Sequence, residues 1–238
     1  MFATKNTLIF ILLLSLIIVI GAHKAFGQAE TGKFDFYLKA NAGPLFHQND
    51  QESTFKPEVT ACFGSHLIAK YSFSRIGFST GIGFDRLKFS QRIEFAQNAE
   101  EREYSTIDFS YLLFDIPILV NYSITERLEI FGGVNIIAAN WVSYGITAVS
   151  NRTSELNASA DWDSQRWQFT QEVMAGLNYK LTDRFDIGLV VARSLSNLDR
   201  TNVDLELSVP GLGNSLISEK FDYSWTRLNL ELAYRLNK

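Results

Sequence analysis

One short phrase recurs along the chain at nearly even spacing. It reads Tyr71-Ser-Phe-Ser-Arg-Ile-Gly-Phe78, then Tyr122-Ser-Ile-Thr-Glu-Arg-Leu-Glu-Ile130, then Tyr179-Lys-Leu-Thr-Asp-Arg-Phe-Asp-Ile187. A truncated copy, Tyr234-Arg-Leu-Asn-Lys238, closes the sequence. Each copy ends one strand on an aromatic and an apolar residue, turns on two or three polar residues and starts the next strand. Four such ends imply eight strands paired as tight hairpins at one side. Tight turns at one end and long segments at the other are the layout of a transmembrane β-barrel.

Period-2 alternation supports strands between these turns. In the last strand Leu228, Leu230, Leu232, Tyr234 and Leu236 share one face, and Asn229, Glu231, Ala233 and Arg235 the other. The seventh sets Phe185, Ile187, Leu189 and Val191 against Asp186, Gly188, Val190 and Ala192. The sixth sets Val173, Ala175, Leu177, Tyr179 and Leu181 against Glu172, Met174, Gly176, Asn178 and Lys180. The fourth sets Leu112, Phe114, Ile116, Ile118, Val120, Tyr122 and Ile124 against Asp115, Pro117, Asn121 and Ser123. Strands one (34–42), two (59–73), three (76–84) and five (128–138) complete the set. Pro117 lacks a ladder donor, so a bulge or local break is expected there.

Two architectures fit alternation. A soluble sandwich buries the apolar face, whereas a membrane barrel turns it to lipid and lines its lumen with the polar one. Strand length, charges of both signs on the polar face and asymmetric connections favour an all-β, eight-stranded, antiparallel up-and-down transmembrane barrel. The turns near Ser74-Arg75, Thr125–Arg127 and Thr182–Arg184 are short. The segments between Gly43 and Glu58, Arg86 and Asp108, Trp141 and Arg166, and Arg193 and Asp222 are long and polar. The former are expected on the periplasmic side and the latter outside the cell.

The N-terminus carries Lys5, an apolar run from Leu8 to Ile20, and small residues at Ala25 and Gly27. That pattern predicts a secretory signal peptide over residues 1–27, cut before Gln28, and a barrel domain over 28–238. The competing reading, an uncleaved anchor, is disfavoured because a bilayer needs about 20 apolar residues. Export to the outer membrane follows.

The 238 residues carry a formal charge of −4, so nucleic acid is not an expected partner. A single cysteine, Cys62, excludes an intrachain disulfide and a cysteine zinc cluster. His23, His47 and His66 are the only histidines. His66 falls on the polar face of strand two, where a hydrogen-bonding role is expected, and His47 is expected in solvent. No cofactor, metal site or catalytic group is expected. Gly77, Gly81 and Gly83 lack the ending of a phosphate loop and read instead as lumen positions of a narrow barrel. Glu94, Glu100, Glu101, Glu103 and Asp108 make one long segment acidic, without EF-hand spacing.

A lumen charge network is expected from Asp35, Lys39, Lys70, Asp85, Asp115, Glu129, Glu172, Glu231 and Arg235. Arg227, Glu231 and Arg235 are expected to meet Asp35 and Lys39 across the barrel closure. Tyr71, Tyr122, Tyr179 and Tyr234 are candidates for an aromatic girdle. Trp141, Tyr144, Trp162 and Trp167 suit either a partner-binding patch or the opposite girdle.

The stretch Phe109-Ser-Tyr-Leu-Leu-Phe-Asp115-Ile-Pro117-Ile-Leu-Val-Asn-Tyr122 resembles a strand of the PorT-like outer-membrane β-barrel family of Bacteroidota, small barrels of the OmpA/OmpX type. Phe131-Gly-Gly-Val-Asn135 is similar to that family's fifth strand. Glu172-Val-Met-Ala-Gly-Leu-Asn-Tyr179 and Asp186-Ile-Gly-Leu-Val-Val-Ala-Arg-Ser-Leu-Ser-Asn197 are similar to its sixth and seventh. The resemblance implies a porin-like barrel in the envelope, facing lipid and lipopolysaccharide, with protein partners reached through its long loops. The expected role is structural or interactive. The alternatives are a narrow channel for ions or small solutes, an accessory to a secretion machinery and a lipid-modifying outer-membrane enzyme.

Overall fold

The computed structural model describes residues 32–49, 56–94, 104–149, 167–209 and 213–237. The expected signal peptide lies outside them. The strands are β1 Lys33–Asn49, β2 Lys56–Glu58, β3 Thr60–Phe73, β4 Ile76–Glu94, β5 Tyr104–Ser123, β6 Leu128–Val149, β7 Gln168–Lys180, β8 Phe185–Ser194, β9 Leu198–Val209 and β10 Gly213–Arg235. Every pairing is antiparallel, and β1 pairs with both β3 and β10, so the sheet closes on itself. The ring has eight positions. The short β2 continues the β3 position by pairing with β4, and β9 continues the β8 position by pairing with β10.

Several strands run further than their alternation shows. Segments 43–49, 86–94, 104–108, 141–149 and 213–222, expected as loop, are ladder-paired strand. Their side chains are less regularly apolar, but each has a partner strand to pair with. At Pro117 the β4–β5 ladder breaks locally, one of the two outcomes expected there, and no bulge forms. β5 is continuous, and the β4–β5 ladder passes from Thr80↔Ile118 to Gly83↔Asp115 in unchanged register. The missing proline donor opens two pairs of the ladder without inserting a residue. The register shift on β5 lies at Ser110/Tyr111 instead.

The polarity of the wall is inverted relative to a soluble barrel. Asp35, Asn41, His66, Asp85, Asp115, Asn135, Glu172, Arg227, Asn229 and Glu231 are buried inside, whereas Phe36, Leu38, Phe63, Leu67, Phe84, Val120, Val173, Leu189, Leu230 and Leu232 are exposed outside. On β1 the outward apolar positions run from Phe36 to Phe46. At about 3.3 Å per residue and the usual tilt, that stretch covers about 25 Å along the barrel axis, the height of a lipid-facing band.

The turns explain the repeated phrase. In two copies the threonine hydroxyl accepts backbone N–H bonds, Thr125 from Arg127 and Leu128 at 3.2 and 2.9 Å, and Thr182 from Arg184 and Phe185 at 3.2 and 3.0 Å. These are side-chain-closed turns. The first copy turns on Ser74-Arg75 alone, with Ser74 at φ 54°, the left-handed value that a two-residue hairpin requires. The arginine of each copy then links to the next. The N–H groups of Ser123, Lys180 and Arg235 donate to the carbonyls of Arg75, Arg127 and Arg184, each at 2.8 Å. At the closure, the Asn237 side chain accepts from Phe36 N–H at 2.8 Å and donates to the Phe34 carbonyl at 2.7 Å. It continues the β1–β10 ladder past the end of the strand.

Candidate functional site

The interior is stacked in layers. At the turn end an open vestibule of about 240 Å³ is lined by Asp35, Tyr37, Lys70, Glu129, Asp186 and Arg235, among others. Lys70 forms an ion pair with Glu129. Arg235 donates to the Tyr37 hydroxyl at 3.1 Å and lies 3.8 Å from Asp35. At the mouth Lys180, at the end of β7, sits 3.0 Å from Asp183 in the exposed turn and holds that carboxyl below its ordinary range.

Deeper, the vestibule narrows to a pocket of about 20 Å³. Lys39 pairs with Glu231 at 2.8 Å, with its ammonium 5.4 Å from the centre of the Phe131 ring. Apolar side chains flank this level, Leu119, Phe131, Met174, Val190 and Ala192 in one group and Tyr37, Ile68 and Ala233 in another.

The central layer is a single connected polar network. Arg227, 1 % exposed, crosses the interior to Asp85 on β4 and to Glu172 on β7, the latter at 2.6 Å. Glu172 also accepts from Trp225 Nε1 at 2.5 Å and Asn135 Nδ2 at 3.3 Å. His66 Nε2 lies 3.0 Å from Asp115 Oδ2 and 3.7 Å from Asp85 Oδ2. Asn41 Nδ2 reaches Asp85 Oδ1 at 3.0 Å and His66 Nδ1 at 3.2 Å. Asn229 donates to Asn41 at 3.4 Å, and Cys62 donates to Asn229 at 3.0 Å. Gly64 and Gly83 make room for this convergence. A Cβ on Gly64 would collide with Asp85, and one on Gly83 with His66 and Asp115.

Beyond it lies an apolar and aromatic layer. Leu45, Leu87, Leu113 and Ile137 are fully buried, and Phe89 stacks on Tyr223 at 4.9 Å. His47, expected in solvent, is buried here against the edges of Phe89 and Tyr223. It sits on the inward alternation of a strand that continues to Asn49 rather than in a loop.

All nine charged residues singled out from sequence are on the inner face. Glu231 and Arg235 approach Lys39 and Asp35 across the closure. Arg227 does not. Its guanidinium points to the far wall, because two carboxylates converge there and Lys39 already engages Glu231. Among the tyrosines, Tyr122 and Tyr179 are exposed on the outer face, and Tyr234 packs on Phe185. Tyr71 is covered, its ring 4.8 Å from that of Phe34. Trp167 packs on Phe114 outside the barrel, while Trp162 and the acidic Glu100, Glu101 and Glu103 lie outside the described residues. Asp108 pairs with Lys88 at 2.7 Å. Asn41, Asn135 and Trp225 were not singled out from sequence. Their inward alternation was the available signal, but uncharged residues there read as ordinary filling.

No protein-family model and no curated protein sequence matches the chain. Solved structures that it resembles include the outer membrane protein OprG of Pseudomonas aeruginosa, with 13% identity, 86% of this chain and 96% of that one covered, and a TM-score of 0.42. Neisserial surface protein A is 9% identical over 86% of this chain and 99% of its own, with a TM-score of 0.40. Ail, the attachment invasion locus protein of Yersinia pestis, solved with the heparin analogue sucrose octasulfate, is 13% identical over 86% and 99%, also with a TM-score of 0.40.

Proposed function

We propose that this protein is an outer-membrane β-barrel with a structural or interaction role in the cell envelope and a lumen that does not conduct. The observation that carries the reading is the inverted wall together with its filled centre: apolar side chains outside, and inside a cross-section occupied by Arg227, Asp85, Glu172, His66 and Asp115. Eight strands enclose an interior just wide enough for side chains to fill. A polar network of this kind suits a closed wall in lipid, where each buried charge needs a partner. The vestibule at the turn end is a dead end against the layers above it. The N-terminal pattern of Lys5 and the run from Leu8 to Ile20 supports export with signal cleavage. The strand phrase over 109–122 supports kinship with the PorT-like barrels, and with it a second reading as an accessory to a secretion machinery.

Planar-bilayer recording of the folded protein tests the main reading, with heat-shifted gel mobility reporting the fold. The expected result is a folded barrel without discrete current steps. Reproducible steps would overturn the closed-lumen reading and favour the narrow channel. The secretion alternative is read separately, by crosslinking in intact envelopes and identifying what co-purifies.

A further inference from the structure

The central network is unbalanced in charge. Asp85, Asp115 and Glu172 are three carboxylates with side chains 0% exposed, and Arg227 is the one guanidinium among them. The three carboxylates exceed the one guanidinium by two charges with His66 neutral and by one with His66 protonated. The next cation, Lys39, is engaged by Glu231. Uncompensated charge removed from solvent is strongly unfavourable. A polar defect lies at the same place, since Asp115 Oδ1 and Asn135 Oδ1 are buried without a hydrogen-bond partner.

The donor atoms that could relieve both are already assembled. His66, Asp85 and Asp115 each offer a ligand atom within 4.8 Å of the other two. His66 Nε2 is 3.0 Å from Asp115 Oδ2 and 3.7 Å from Asp85 Oδ2. Ligands of a tetrahedral metal with N and O bonds of about 2.0–2.1 Å stand about 3.3 Å apart, which these two separations bracket. Gly83 lies directly beneath, and a Cβ there would lie 2.5 Å from His66 Nε2. Any larger residue at that position would drive His66 and Asp115 apart.

We propose that His66, Asp85 and Asp115 form a buried site for one first-row divalent transition-metal ion of the zinc type. One dication with His66 neutral neutralises the network and offers a partner to Asp115 Oδ1, the oxygen of that carboxylate that has none. An imidazole nitrogen beside two carboxylates suits zinc or cobalt better than the all-oxygen preference of calcium or magnesium. Metal on Nε2 places the ring proton on Nδ1, the nitrogen that faces the Asn41 side chain at 3.2 Å. Arg227 stays on Glu172 and on Asp85 Oδ2, so Asp85 shares that oxygen between the guanidinium and the metal. The proposal rests on the network alone, not on where the barrel resides.

Tag-free protein folded with zinc, then passed through a desalting column, is assayed for metal by mass spectrometry. Folding is scored independently by heat-shifted mobility. The expected result is about one zinc per folded chain, and with cobalt in its place the visible absorption of a four-coordinate ion. Asp115→Asn, nearly isosteric, should weaken retention at least about tenfold, the scale seen when a site's supporting groups are removed. His66→Gln should abolish the cobalt bands. Glu129→Gln, at the vestibule, should retain the metal. A folded wild-type barrel holding no more metal than folded His66→Gln or Asp115→Asn overturns the site. Loss of metal from Glu129→Gln also overturns it, by placing the ion in the vestibule. Neither result touches the barrel reading, which the mobility shift reports.

Discussion

Arg227 ties three strands together through one buried side chain. It is buried, held by Asp85 and Glu172 from two other strands, and sits one layer below an aromatic lid. Removing one partner of a buried ion pair leaves a charge without compensation and typically costs about 3–5 kcal/mol. Arg227→Met should therefore lower the unfolding free energy of the barrel, measured in urea, by that order, while Glu126→Ala, in an exposed turn, should change it by less than about 0.5 kcal/mol. Equal effects from the two would mean that the network contributes nothing to the fold. The inward position of Arg227 was legible from alternation on the last strand. Its partners were not, because a long side chain in a narrow barrel can reach either the neighbouring strand or the opposite wall. His47 shows the converse case. Only the extension of β1 to Asn49 turned an apparent loop residue into a buried one.

At the scale of elements, the repeated phrase is a device for joining hairpins. Its threonine closes the turn, its arginine carbonyl accepts from the following copy, and Asn237 performs the last join where no further turn exists. A net hydrogen bond contributes about 0.5–1.5 kcal/mol. Thr125→Val and Thr182→Val should each destabilise by about that amount, in parallel, since their bonding is the same. Asn237→Ala should do likewise, and it should also speed amide hydrogen exchange at Phe36 relative to Ile118, on the far side of the barrel. Unchanged exchange at Phe36 would show that the closure does not depend on Asn237. The existence and order of the eight wall positions were readable from this phrase. Strand ends were not, because segments such as 86–94 and 104–108 carry little alternation and are fixed by their ladder partners.

For the whole molecule the governing fact is polarity reversed from that of a soluble barrel. A charge placed on the lipid face near mid-height costs about 2–4 kcal/mol in transmembrane barrels. Leu230, exposed at the middle of the outer face of β10, is a suitable position. Leu230→Arg should reduce the fraction of chains that fold into bilayer vesicles and lower the stability of those that do, by about that amount. Stability unchanged in lipid would argue that this face meets something other than a bilayer.

Sequence by itself determined the all-β class, the number of wall positions, and which residues face inward on the clearer strands. Those properties are local: a side-chain period of two and short turns suffice to specify them. Tertiary structure decided which inward groups meet. Closing eight strands with a particular stagger brings Asp85, Asp115, Glu172 and Arg227, from four different strands, to one level. Contacts across a lumen depend on barrel radius and on strand offset, and neither quantity is encoded in any single strand. The same closure set Arg227 against the far wall rather than β1, and left beside it a histidine and two carboxylates whose ligand atoms lie within 4.8 Å of one another.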